Sequence, residues 1–200
     1  SVNPKEDVTI EQYTNDIVEL SEYLKERFNQ DKIYLLGHSW GTIIGVHAAQ
    51  ARPDLFYAYI GAAQMVNVRE TDKIIYRELL EYAQTTGDSK FASRLLELGE
   101  PPYFGKNPVM QYKDVLARDY GIFQAPHIKS QEYLQHGDLF ARMLRSPEYT
   151  LLDKINFARG LMTTFNLVYP QMQDFDFRKD ALEFNVPVYM ILGRHDSNAT

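Results

Sequence analysis

Five consecutive residues, Gly37-His38-Ser39-Trp40-Gly41, form a G-x-S-x-G. The chemistry this spacing suits is acyl transfer. A serine hydroxyl reaches a carbonyl carbon best when it protrudes from a tight strand-to-helix turn, where the backbone is held in unfavourable geometry. Side chains two residues either way are expected to collide there, so glycine is expected at both 37 and 41. The N–H of the residue after the serine, Trp40, then faces the developing oxyanion, helped by the helix N-terminus. A glycine-rich turn with an incidental serine spells the same five letters, so the surrounding elements decide.

A serine nucleophile needs a base within hydrogen-bond reach. The chain has five histidines, His38, His47, His127, His136 and His195. His38 neighbours the serine on the turn. His47 lies on the following helix, two turns from Ser39, and is expected to point elsewhere. His127 and His136 read as surface or pocket-lining residues. His195 adjoins Asp196, and adjacent residues at a strand end usually face opposite ways. None reads as the base. Asp196 taken alone reads as a turn or capping aspartate. There is no cysteine, hence no disulfide framework, thiolate site or cysteine nucleophile. H-E-x-x-H, G-x-G-x-x-G and the P-loop are absent, so no metal, nucleotide or other cofactor is implied.

These residues must be positioned by a fold. The chain has 200 residues and 44% hydrophobic content, enough to bury roughly 70% of its unfolded surface. That composition excludes a disordered or low-complexity chain. The net charge of −6 argues against a nucleic-acid partner. The apolar run Val186–Leu192 holds Pro187 and is too short to span a bilayer. No apolar leader precedes the first element, and a cytoplasmic location is the expectation.

Ile10, Tyr13, Ile17, Leu20, Leu24 and Phe28 recur at helical spacing, with Thr9 and Gln12 as a capping box and Val8 and Tyr13 as a hydrophobic staple. Lys32–His38 reads as a strand buried on both faces. Thr42–Arg52 reads as a helix stopped by Pro53. Its Gly41 and Gly45 are spaced to let a neighbouring backbone approach. Leu55–Ala62 reads as a second strand. Helix, strand, helix, strand is the pattern of a parallel α/β sheet. From Asn67 to Asp180 the patterns are helical: Glu70–Ala83, Ser89–Leu98, Asn107 to Gly121, Gln131–Leu144 and Leu151–Leu167. The aromatic residues concentrated there are expected mostly to pack helices, with some lining an apolar pocket. Val186–Leu192 returns to the buried-strand type. The expected organisation is an α/β core over 1–66, a helical insertion over 67–180, and core again over 181–200.

The stretch Ile33-Tyr-Leu-Leu-Gly-His-Ser-Trp-Gly-Thr-Ile-Ile-Gly45 resembles the nucleophile elbow of α/β-hydrolase-fold serine hydrolases. Its Ser-Trp-Gly is similar to proline iminopeptidases and their relatives. The resemblance covers the whole chain: the helix before the elbow, the strand after it, an insertion where that family carries a helical cap, and Gly193-Arg194-His195-Asp196. It implies Ser39 as nucleophile, Trp40 as an oxyanion-hole donor, Gly37 and Gly41 as elbow glycines and Asp196 as triad acid, in the order Ser…Asp…His. It also implies that cap carboxylates could hold a peptide's free amine, although no pattern picks one.

Two departures accompany the match. The family's histidine follows its acid, and no histidine follows Asp196. Its glycine-rich oxyanion loop precedes the elbow, and the 36 residues before Gly37 hold none. The expectation is therefore an internal fragment of a longer hydrolase, inactive by itself, its histidine outside this chain. The expected function is serine hydrolysis of an amide or ester through an acyl-enzyme, as an aminopeptidase of the proline iminopeptidase type. The substrate is then a small molecule or short peptide. A carboxylester hydrolase is the alternative chemistry, and a non-catalytic binding module of the same fold is the alternative class.

Overall fold

The structure, a computed structural model, describes residues 7–105, 107–127 and 143–197. Three parallel strands form one sheet in chain order: β1 (Ile33–His38), β2 (Phe56–Ala62) and β3 (Val188–Ile191). Helix α1 (Ile10–Phe28) precedes β1, and α2 (Gly41–Ala51) joins β1 to β2. Then come α3 (Val68–Thr85), α4 (Ser89–Leu98), α5 (Pro108–Asp119), α6 (Leu151–Val168) and the short α7 (Phe177–Asp180).

Local signals explain most boundaries. The Thr9 side chain accepts the Gln12 N–H at 3.0 Å and starts α1. The Gln12 side chain bonds Asp16 instead of reaching back, so only half of the expected capping box forms. Asn29 ends α1 with φ 47°, a left-handed cap that asparagine tolerates. Asn67 caps α3 and Asp88 caps α4. Thr150 and Asp153 form the reciprocal capping box at α6. The region expected as a helix over 131–144 lies outside the described residues except for its last two positions.

Among the described residues, two apolar clusters hold the elements together. One joins the sheet to α1 and α2, with Ile43, Val46, Phe56 and Tyr59 buried and Tyr13, Ile17 and Leu35 packed on them. The other lies among the helices, around Ile75, Leu79, Leu95, Tyr112 and Tyr169. Gly45 serves the first cluster. A Cβ there would lie 2.5 Å from Cε2 of Tyr59, so the glycine admits a tyrosine ring and not the neighbouring backbone that its spacing implies.

The strands are not buried on both faces, as their unbroken apolar runs imply. Leu35, Tyr59 and Val188 align across the sheet and face the first cluster. Tyr34 and Leu36 of β1 are 69% and 62% exposed, and Tyr189 and Ile191 of β3 59% and 60%. The reason is that both α1 and α2 join the same cluster with Leu35 and Tyr59, and no described element covers Tyr34 and Leu36. Among the described residues, no helix is long and apolar enough to cross a membrane.

Candidate active site

Ser39 ends β1 with φ 53°, in the left-handed region that L-residues avoid. Three bonds hold it there. Its N–H donates to the Ala62 carbonyl at 3.0 Å, and its own carbonyl accepts the Thr42 N–H at 2.8 Å and the Thr42 hydroxyl at 2.5 Å. Thr42 is fully buried, and its hydroxyl also accepts the Met65 N–H at 3.0 Å. The turn after β1 is thereby tied to the turn after β2. Ala63, in that second turn, also has φ 53° and donates to the Ile191 carbonyl at 2.8 Å. Two strained residues and a chain of backbone bonds thus line the C-terminal edge of the sheet, the edge where open α/β sheets place ligands.

Gly37 is crowded as expected. A Cβ there would lie 2.7 Å from the Gly41 carbonyl oxygen and 2.9 Å from Cα of Thr42. Gly41 is not crowded: its Cβ would meet nothing within 4 Å. The expected collision exists on one side of Ser39 only, because Gly41 opens α2 toward unfilled space while Gly37 lies beneath the helix's first turn. Trp40 caps α2 in helical conformation, and its ring meets that of Tyr13 edge-on at 5.2 Å. Among the described residues the Trp40 N–H forms no hydrogen bond, so it is available at the helix N-terminus beside Ser39.

Ser39 opens onto a cavity of about 290 Å³. Ser39, Trp40 and Met65 line it from the sheet side, and Tyr112, Phe165 and Tyr169 from the helices. Both tyrosines turn their hydroxyls to one buried carboxylate: Tyr112 donates to Oδ1 of Asp72 at 2.6 Å and Tyr169 to Oδ2 at 2.8 Å. Asp72 is 2% exposed, and burial raises its pKa from 3.8 to about 6 against the opposing pull of the two tyrosines and of Gln173. The sequence reading missed Asp72. A signal existed, since Asp72 occupies the stripe of Val68, Ile75 and Leu79 that α3 buries, where a carboxylate is out of place unless it is bonded.

Asp196 follows β3 on a turn, its N–H donating to the Gly193 carbonyl at 3.2 Å. It stands at the same edge of the sheet as Ser39 but lines a different cavity, of about 640 Å³, with Glu78, Glu81, His127 and His195. The next residue anchors this turn to the helices: Ser197 donates to Oδ2 of the fully buried Asp119 at 2.5 Å, and Gln124 donates to the same oxygen at 2.9 Å.

No histidine lines the cavity of Ser39 among the described residues. His47 packs edge-on against Phe175 and Phe177, and its pKa is lowered by burial. His127 and His195 stack at 3.6 Å in the Asp196 cavity. The pKa of His195 is lowered by desolvation and by the nearby His127 and Arg194. His136 lies outside the described residues. Nor do the described residues contain a group of three or more acids and histidines able to hold a metal ion.

Comparison with known proteins gives this geometry a family. A Probable aminopeptidase YbaC of Bacillus subtilis (strain 168) is 28% identical over 189 residues, which is 94% of this chain and 58% of that protein. The crystal structure of VinJ superposes with a TM-score of 0.56 at 11% identity, covering 98% of this chain and 61% of that one. The chain thus spans about three-fifths of the length of these relatives, and it shares with VinJ the α/β-hydrolase fold. The family model for serine aminopeptidase, S33, matches residues 8–198, and the chain belongs to that family of hydrolases.

Proposed function

We propose that Ser39 is the nucleophile of a serine hydrolase that cleaves an amide or ester bond through an acyl-enzyme. The observation that carries this reading is the left-handed Ser39, φ 53°, held by three bonds above a glycine that admits no side chain. Backbone strain of this kind persists where surrounding structure enforces it, and here it exposes one hydroxyl to a cavity.

In the proposed cycle Ser39 Oγ attacks the carbonyl carbon and a histidine accepts its proton. The Trp40 N–H donates to the oxyanion as the carbonyl bond opens. The leaving amine or alcohol takes the proton from the imidazolium, and water repeats the sequence to release the acid. Asp196 holds the imidazole's tautomer and stabilises its cation. The histidine comes from beyond residue 200, a placement supported by the chain order Ser…Asp…His and by the length of the relatives. Under this assignment residues 67–180 act as a cap over the serine. The family and the relative's name favour release of an N-terminal residue, proline in the iminopeptidase-like case. Ester hydrolysis is the second reading, favoured by one observation: no charged side chain lines the Ser39 cavity among the described residues.

The test is Ser39→Ala in the natural full-length protein, assayed with aminoacyl p-nitroanilides and p-nitrophenyl esters. Loss of turnover by at least about 10⁴-fold with an unchanged melting temperature is expected. Turnover within tenfold of the parent would end the nucleophile assignment.

A further inference from the structure

The wall of the Ser39 cavity that faces the serine from the helices holds three aromatic rings. Rings of Tyr112, Phe165 and Tyr169 form one contiguous cluster, with centroids 5.2, 5.3 and 5.4 Å apart. Leu161, Thr164, Val168 and Met172 complete the helical side. The polar side-chain atoms this wall could offer a substrate are the Thr164 hydroxyl and the two phenol hydroxyls, and both phenols are committed to Asp72. Tyr169 is fully buried and its oxygen also accepts the Tyr103 N–H at 3.4 Å. Tyr112 is 6% exposed. Asp72 itself does not line the cavity among the described residues. Its carboxylate has one oxygen for each hydroxyl, which fixes both rings with their apolar surface toward Ser39.

We infer that the cavity beside Ser39 accepts an apolar acyl group of about ten non-hydrogen atoms, and that Asp72 is the positioning residue that keeps the wall apolar by holding the hydroxyls of Tyr112 and Tyr169 out of it. This rests on Ser39 as nucleophile. The size follows from about 290 Å³ at roughly 30 Å³ for a water-sized group. A charge placed there loses its water and finds no counterion, which is costly. Each methylene gains the usual transfer energy, equivalent to about a fourfold rate increase while room remains.

The test uses the natural full-length protein and a series of alkyl ethoxyfluorophosphonates, the alkyl group on phosphorus standing where the acyl chain would. Ser39 Oγ forms a bond to phosphorus, the P–F bond breaks, and fluoride and the hydroxyl proton leave as HF. Labelling rate constants are read by intact mass from methyl to dodecyl, with ω-carboxylate and ω-ammonium members of matched length. The expected result is about a fourfold rise per methylene up to eight to ten carbons and a plateau or fall beyond. The charged members should react at least 100-fold more slowly than their neutral match. A flat series, or faster charged members, overturns this inference and leaves Ser39 standing. No labelling of Ser39 by any member overturns the nucleophile reading itself. Asp72→Ala should flatten the chain-length slope to below about twofold per methylene, and Asp72→Asn, which keeps the shape, accepts one hydroxyl at Oδ1 and donates from Nδ2 to the other phenol oxygen, should restore most of it. Loss of folded protein scales every member equally and leaves the slope unmoved. An unchanged slope in Asp72→Ala therefore removes Asp72 from the positioning role.

Discussion

The buried carboxylate makes a thermodynamic prediction that needs no substrate. Asp72 has an ordinary pKa of 3.8 when exposed and about 6 in the folded protein, raised by burial. Between those values the folded state binds more protons than the unfolded state, so stability falls as pH rises. The stabilisation by the proton is fully present below pH 3.8 and is lost as pH passes 6. The rise in pKa is worth about 3 kcal/mol in full. Between about pH 7.5 and pH 4 most of it, about 2 kcal/mol, is accessible. Asp72→Asn supplies the reference, because it keeps the side chain's shape and cannot ionise. The assay is urea unfolding of both proteins across that interval, followed by circular dichroism and converted by linear extrapolation. Every other titrating group is common to both and cancels in the difference. The variant's advantage should therefore be largest above pH 6 and shrink by about 2 kcal/mol toward pH 4. A difference that stays constant over the whole interval would refute the claim that Asp72 is desolvated. A difference that grows toward low pH would mean that the two tyrosine hydroxyls outweigh desolvation and lower its pKa instead.

Two further predictions concern the turn. Ser39→Gly relieves a left-handed φ of 53°, so the variant should melt higher, a net gain of about 0.5–1 kcal/mol after glycine's extra unfolded-state entropy; calorimetry showing a loss would contradict the strain. Gly37→Ala places a methyl 2.7 Å from the Gly41 carbonyl oxygen and should cost about 1–3 kcal/mol together with most of the turnover. Gly41→Ala meets open space and should be neutral or stabilising by up to about 1 kcal/mol. Equal effects at the two glycines in a chemical-denaturation comparison would remove the asymmetry argued for this turn.

Much of the frame is local and therefore readable along the chain. The periodicity of Ile10 to Phe28, the cap at Thr9, the breaks at Asn29, Pro53 and Gly99, and the strand-turn-helix around Ser39 depend on residues a few positions apart, and those elements form where the spacing places them. The glycine at 37 was legible for the same reason, since its clash is with the helix four residues on. Gly41 shows the limit of that logic: the pattern names two glycines, but only packing decides which one is crowded. An unbroken apolar run states what a face can bury against, and among the described residues one face of the sheet is covered and the other is not. What only the tertiary structure decided is the wall of the cavity. Asp72, Tyr112 and Tyr169 are 40 and 97 positions apart in their hydrogen-bonded pairs, and no local rule links such residues. The same holds for Ser197 on Asp119, 78 positions away. The sequence by itself determined the turn that holds Ser39 at the end of the first strand. Long-range packing, which satisfies buried polar groups wherever a partner can be brought, determined what Ser39 faces.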